Sequence, residues 1–243
     1  MIVLAVLAVA AALGVSYWLL MSPFSPTSKA YPYQAPTASS GEKVVALTFD
    51  DGPNEPYTSQ ILDIMADHGV RATFFQVGDC VQRHPEVARR VLDEGHVVGN
   101  HSLSHRFGTY LRPRAFEREV EQTQRILTGV AGRTPALART PWLWRQPALL
   151  RMLHRNGLNP VAGEFGHALE VFQISGARMA RRAIAKTRPG SILIFHDGFD
   201  GHGGNRAETV TAVRLTVEGL LARGYRFVTV DELLGVPAYL QVA

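Results

Sequence analysis

The chain has 243 residues, 46% of them hydrophobic and 19% charged, which suits one folded domain with a real core plus a short appendage and excludes a wholly disordered chain. Its net charge of +4 is carried mostly by Arg scattered among acids, with no basic run interleaved with aromatics, so nucleic-acid binding is not expected and mild attraction to anionic polymers is. The single cysteine, Cys80, excludes an intrachain disulfide, and nothing in the sequence predicts a protein partner.

Residues 2–21 are uncharged and almost wholly apolar, long enough as a helix to match the ~30 Å hydrocarbon core of a bilayer. Residues 1–22 are therefore expected to be a transmembrane anchor or a cleaved signal peptide, with Tyr17 and Trp18 at an interfacial position. Residues 23–42, rich in Pro, Ser and Thr, read as an extended linker. This order places the protein in the cell envelope, anchored with its domain outside the cytoplasm, or secreted if the segment is removed.

From residue 43 short apolar runs alternate with helical patterns. Strands are expected at 44–49, 72–77, 96–99, 136–139, 159–163, 191–195 and 226–230. Helices are expected at 57–68, 85–94, 113–128, 146–156, 175–187 and 207–223, several opened by Pro and closed by Gly. Such alternation predicts parallel strands with helical crossovers, in a domain spanning 43–236 with a C-terminal tail at 237–243.

The residues able to do chemistry gather at the C-terminal ends of these strands. Asp50 and Asp51 follow the first, His101 and His105 the third, Arg139 the fourth, Glu164 the fifth, His196 and Asp197 the sixth. In a parallel β/α barrel those ends form one face, whereas an open sheet would not converge so many consecutive strands. A (β/α) barrel of about seven parallel strands is the expected fold. His101 and His105, four apart, would share a face if helical, and with one Asp they leave open positions on a metal, the pattern of catalytic zinc. The same ligand set holds iron in oxygenases. Asp50-Asp51-Gly52-Pro53 alone also fits a plain turn, and His196 alone a core histidine.

These segments together resemble a known family. Thr48-Phe49-Asp50-Asp51-Gly52-Pro53, His101-Ser102-Leu103-Ser104-His105, Arg139-Thr140-Pro141-Trp142 and Ile192-Leu193-Ile194-Phe195-His196-Asp197 look like the first, second, third and fifth motifs of the NodB-homology polysaccharide deacetylases, carbohydrate esterase family 4. The resemblance implies a distorted (β/α) barrel and a divalent metal, most often Zn2+ with Co2+ or Ni2+ as alternatives, held by Asp51, His101 and His105. It implies Asp50 as general base, His196 as general acid and Arg139 as the partner of Asp50. The backbone N–H near Trp142 would bind the oxyanion, and Pro141, Trp142, Ile194 and Phe172 would contact substrate. The implied reaction is removal of N-acetyl groups from amino sugars of a cell-surface polysaccharide, peptidoglycan or chitin-like oligomers. Acetylxylan esterase, deformylase of a lipid-linked sugar and a silent glycan-binding domain are the alternatives.

The fourth motif departs from the family. Where an Asp and a Trp are usual, residues 166–172 read Gly-His-Ala-Leu-Glu-Val-Phe, so Glu170 or Glu164 stands in for the Asp that tunes the acid histidine, and Phe172 for the Trp. Trp142 and Trp144 read either as platforms for sugar rings or as an apolar lid. Residues 201–204 read as a surface loop after the sixth strand.

Overall fold

The computed structural model describes residues 30–35 and 42–241, together with Ala11, Gly14 and Val15. The expected anchor and most of the expected linker lie outside these residues. Among the described residues no helix is long and apolar enough to cross a membrane.

The elements follow in chain order as β1 (Val44–Asp50), α1 (Tyr57–Asp67), β2 (Thr73–Gln76), α2 (Gly78–Arg83), α3 (Pro85–Asp93), β3 (Val97–Asn100), α4 (Phe107–Tyr110), α5 (Pro113–Ala131), β4 (Leu137–Ala138), α6 (Pro147–Arg155), β5 (Asn159–Pro160), β6 (Glu164–Phe165), α7 (Gly176–Lys186), β7 (Ile192–His196), α8 (Ala207–Leu221), β8 (Arg226–Val228) and α9 (Val230–Leu234). Short 3-10 turns at Pro141–Leu143 and Glu170–Phe172 carry loop residues of the site. Every strand pairing is parallel. The path runs β5-β4-β3-β2-β1-β7-β6, with β8 beside the first half of β1. No pairing joins β5 to β6 among the described residues, so the barrel is distorted and incomplete there.

Strand period fixes what faces the site. On β1, Val45, Leu47 and Phe49 belong to the large apolar cluster shared with α1, α7 and α8, while Ala46 packs in the barrel interior with Phe75, Leu137, Val161 and Ile192. Thr48 and Asp50 share the parity of Ala46 and therefore point inward. The same alternation on β7 sends Leu193 and Phe195 to the helices and Ile192, Ile194 and His196 inward. Each fully buried Leu, Ile or Phe contributes roughly 1.5–3 kcal/mol, which makes the register costly to shift.

Three expectations are corrected. The strand expected at 159–163 is confined to Asn159–Pro160, and a separate short strand, β6, follows at Glu164–Phe165; between them the chain passes so close to β7 that a Cβ on Gly163 would meet Ile194 Cγ1 at 2.8 Å. Glu164 consequently lies within a strand. Residues 30–35 are not free linker: Tyr31 is fully buried, Ala162 N–H donates to Pro32, and Ala35 N–H donates to Gly190. The tail also packs on the domain, with Ala136 N–H donating to Ala238, Leu240 N–H to Thr134, and the Arg133 guanidinium lying 3.7 Å from the centroid of the Tyr239 ring.

Candidate active site

The C-terminal ends of the strands surround a cavity of about 300 Å3. It is lined by Asp51, His101, His105, His196 and Asp200 and by the apolar side chains of Trp142, Leu143, Phe165, Val171 and Phe199. Seven non-glycine residues among those described have positive φ, and six of them (Asp51, Ser102, His105, Trp142, Leu143 and Asp200) lie in the loops around this cavity. Such conformations cost about 1–3 kcal/mol each and persist where surrounding contacts enforce them.

The structure brings Asp51, His101 and His105 together, all buried, with their ligand atoms within 4.8 Å of one another. Asp51 Oδ1 lies 3.3 Å from His101 Nε2 and 3.1 Å from His105 Nε2. The other ring nitrogens are engaged: His101 Nδ1 is 2.8 Å from the Arg139 carbonyl and His105 Nδ1 is 2.7 Å from Asp200 Oδ1. Nδ1 of each ring must donate to those oxygens, so in the neutral rings both Nε2 atoms carry lone pairs. Asp51 Oδ1 is itself a buried oxygen without a hydrogen-bond donor. Three lone-pair atoms converging in a buried space fit a divalent cation, and the two nitrogens and one oxygen suit zinc, cobalt or nickel better than magnesium or calcium. Burial opposes the Asp51 charge, yet contacts with His101 and His105 hold its carboxyl well below the usual range. The two histidines are not helical as the spacing suggested: Ser102 and His105 have φ of 65° and 55°, and the Asn100 and Glu119 carboxyl and amide oxygens take the loop N–H groups instead.

Asp50 is the last residue of β1 and 4% exposed. Arg139, fully buried after β4, donates from Nη1 to Asp50 Oδ1 at 2.7 Å and to Thr48 Oγ1 at 2.8 Å. Its Nε and Nη2 donate to the carbonyls of Val161 and Ala162, and its guanidinium lies over the Phe75 ring. This network leaves the guanidinium one orientation beside Asp50, while Asp50 Oδ2 receives no hydrogen bond among the described residues.

At the end of β7, His196 Nδ1 lies 2.6 Å from Glu170 Oε2. Glu170 is buried, and Thr209 Oγ1 donates to its other oxygen. Burial disfavours the imidazolium, but the Glu170 charge and hydrogen bond outweigh it and raise His196 from 6.5 to about 9. Burial likewise acts against the Glu170 charge, and His196, Thr209 and Arg206 reverse it, so its carboxyl titrates below the usual range. The ambiguity in the fourth motif is thereby resolved: Glu164 faces Lys186 at 3.8 Å, and Glu170 serves His196.

The expected substrate contacts divide. Trp142 lines the cavity, its ring edge-on to His105 at 4.5 Å between centroids. In its turn the N–H groups of Leu143 and Trp144 donate to Thr140 and Pro141, whereas Trp142 N–H makes no hydrogen bond among the described residues. Trp144 instead packs against the core cluster of Tyr110 and Phe116. Pro141 is buried at the start of that turn and Ile194 is fully buried beneath His196, neither on the cavity wall. Phe172 is 75% exposed and points away, because the 3-10 turn that buries Glu170 rotates it outward. Phe165, stacked on His196 at 5.9 Å, and Val171 hold the places expected of it. Phe199 and Asp200, in the stretch read as a surface loop and its approach, also face the cavity.

The comparisons agree with this geometry. The family model described as polysaccharide deacetylase matches residues 37–161. A peptidoglycan-N-acetylglucosamine deacetylase of Bacillus cereus is 32% identical over 194 residues, covering 79% of this chain and 89% of the relative. A chitooligosaccharide deacetylase of Rhizobium leguminosarum bv. trifolii is 34% identical over 210 residues, covering 81% and 95%. The crystal structure of the Bc1960 peptidoglycan N-acetylglucosamine deacetylase superposes with a TM-score of 0.81 at 28% identity, covering 90% of this chain and 99% of that one. The chain belongs to the polysaccharide deacetylase family. It is a hydrolase of acetyl groups on carbohydrate, of the NodB-homology fold.

Proposed function

We propose that this deacetylase removes N-acetyl groups from the amino sugars of peptidoglycan or of chitin-like oligomers, using Zn2+ held by Asp51, His101 and His105. The observation that carries the reading is the buried Asp51 Oδ1, without a donor and facing two imidazole lone pairs, in one cavity with His196, whose Nδ1 is paired with Glu170. Relatives that act on peptidoglycan and chitooligosaccharides support the substrate class. A divalent metal held by Asp51, His101 and His105 would supply Lewis-acid polarisation of the amide carbonyl and would lower the pKa of water beside it towards ~7.

The chain's own residues supply the rest. Asp50, its Oδ1 held by Arg139, takes the proton of the attacking water at its free Oδ2. Trp142 N–H donates to the carbonyl oxygen as negative charge builds there, a contribution of about 3 kcal/mol for one well-placed donor. His196, charged through neutral pH by Glu170, gives its proton to the departing amine, a poor leaving group otherwise. Trp142, Phe165 and Phe199 offer flat apolar faces to sugar rings at the mouth. The intact set of Asp50, Asp51, His101, His105 and His196, and the buried Glu170 behind the last, weigh against a silent binding domain. The glycan substrates and the uncharged apolar run at 2–21 together support placement outside the cytoplasm, anchored in or released from the membrane.

The test is acetate release by the chain from residue 30 onward, supplied with Zn2+, Co2+ or Ni2+ or with a chelator, from peptidoglycan, chitin oligomers and acetylxylan. Chelator-sensitive acetate from an N-acetylated glycan supports the proposal. Acetate from acetylxylan alone would replace it with an esterase, and no acetate from any substrate despite bound metal would end it.

A further inference from the structure

The segment after β7 turns back on itself in a way the catalytic reading leaves unused. Phe199 and His202 exchange both backbone hydrogen bonds, at 3.2 and 2.8 Å, which closes a two-residue hairpin with Asp200-Gly201 at its tip. The tip φ values of 50° and 71° are those of a type I′ turn, for which Asp-Gly is a preferred pair. We propose that this hairpin is a built-in clamp on the metal ligands and that Asp200 is a positioning residue setting metal affinity, an inference that rests on the metal reading of the triad.

Asp200 grips two of the three ligands at once. Its N–H donates to Asp51 Oδ2 at 2.9 Å, which turns Oδ1 toward the histidines. Its Oδ1 accepts from His105 Nδ1 at 2.7 Å, which fixes the ring and leaves Nε2 as the ligand atom. The tip is tied down from behind, since Gly201 O accepts from Arg83 Nη2 at 2.7 Å and from Cys80 Sγ at 3.4 Å. It sits so close to the histidine loop that a Cβ on Gly201 would meet His105 Cβ and Ser104 O, each at 3.0 Å. The two histidines are held unequally. His101 leans on the Arg139 backbone carbonyl, part of a fully buried network, whereas His105 depends on a side chain that is 47% exposed. His105 is therefore the ligand whose orientation a change in the hairpin can loosen.

The experiment is equilibrium competition for Zn2+ between the chain and a chromophoric chelator, with the visible spectrum of the Co2+-loaded protein recorded alongside. Asp200→Ala is expected to weaken Zn2+ binding about 10–100-fold and to change the Co2+ band shape. Asp200→Asn, whose amide oxygen still accepts from Nδ1–H, is expected to fall at the low end of that range, and it carries the test if the alanine variant does not fold. Gly201→Ala, which removes no polar group, is expected to weaken binding by displacing the tip. If all folded variants bind Zn2+ within about twofold of the parent, the clamp is refuted while the metal reading stands. If the parent takes up no divalent metal, the metal reading fails and the clamp with it.

Discussion

Replacing Glu170 by Gln separates the acid role of His196 from its simple presence. The carboxylate is the main influence holding His196 near 9, against a burial that alone would bring it below its ordinary 6.5. Glutamine keeps the shape and an oxygen for the Nδ1 hydrogen bond but removes the charge. The imidazole should then titrate at or below 6.5, a fall of at least about two pH units. At pH 8 the protonated share drops from about nine-tenths to about one-thirtieth, so acetate release falls roughly 30-fold, while at pH 6 it changes less than about twofold. The assay is initial acetate release at saturating metal from about pH 5 to about pH 10 for parent and variant. A dication at the triad would lower both alkaline limbs together, so the displacement between them is the quantity to read. The same pair is linked to stability. A raised histidine pKa stabilises the fold fully below 6.5, and that contribution, roughly 3 kcal/mol, is lost as the pH rises through about 9. Alkaline limbs that coincide in parent and variant, in a folded protein, would refute both the acid role and the Glu170 assignment.

Three other perturbations follow from the same geometry. Arg139→Ala strands the buried Asp50 carboxylate and three further acceptors, and denaturant unfolding should show a loss of roughly 3–5 kcal/mol; a change below about 1 kcal/mol would mean that Asp50 finds solvent or another partner. Asp50→Asn should lower turnover at least about 100-fold while metal stoichiometry stays at the parent value, and a variant retaining most of its rate would remove Asp50 as the base. Tyr31 OH accepts from Thr140 N–H at 3.1 Å and bonds Thr140 Oγ1 at 2.8 Å, next to Arg139; Tyr31→Phe should cost about 1–2 kcal/mol, and a chain begun at residue 43 should melt still lower than the variant. Equal melting of the two chains begun at 30 and at 43 would show that the docked segment adds nothing.

Much of the fold was legible because burial and period agree. Val45, Leu47 and Phe49 alternate with Ala46, Thr48 and Asp50, and the expected helices at 57–68, 146–156 and 207–223 were each followed by a glycine that does take positive φ, Gly69, Gly157 and Gly224. Strand ends were legible for the same reason, and with them the convergence of Asp50, Asp51, His101, His105 and His196. What failed was local conformation under tertiary control. The spacing of His101 and His105 matches a helical turn, but Glu119 on α5 binds the N–H groups of Leu103 and Ser104, and a helix there would have to give them up. Residues 30–35 have the composition of a linker, yet one buried tyrosine and the backbone hydrogen bonds of Pro32 and Ala35 dock them.

The candidate metal and acid–base residues could be named from type and order, and Arg139 and the Glu164 or Glu170 choice beside them, whereas the groups that orient His101 and His105 could not, and the reason is physical. A metal ligand must be one of few side chains and must sit where the barrel opens, so its choices are narrow. A group that orients a ligand needs only one oxygen at hydrogen-bond distance. That oxygen comes from the Arg139 carbonyl for His101, from the Asp200 carboxylate for His105 and from Glu170 for His196. Glu164 and Glu170 are both acids near one point of the chain, and only the turn that buries Glu170 beside Thr209 selects between them. The same turn that sets Glu170 beside His196 leaves Val171 facing the cavity and Phe172 the solvent. One short turn thus both places the group that orients His196 and shapes part of the cavity wall.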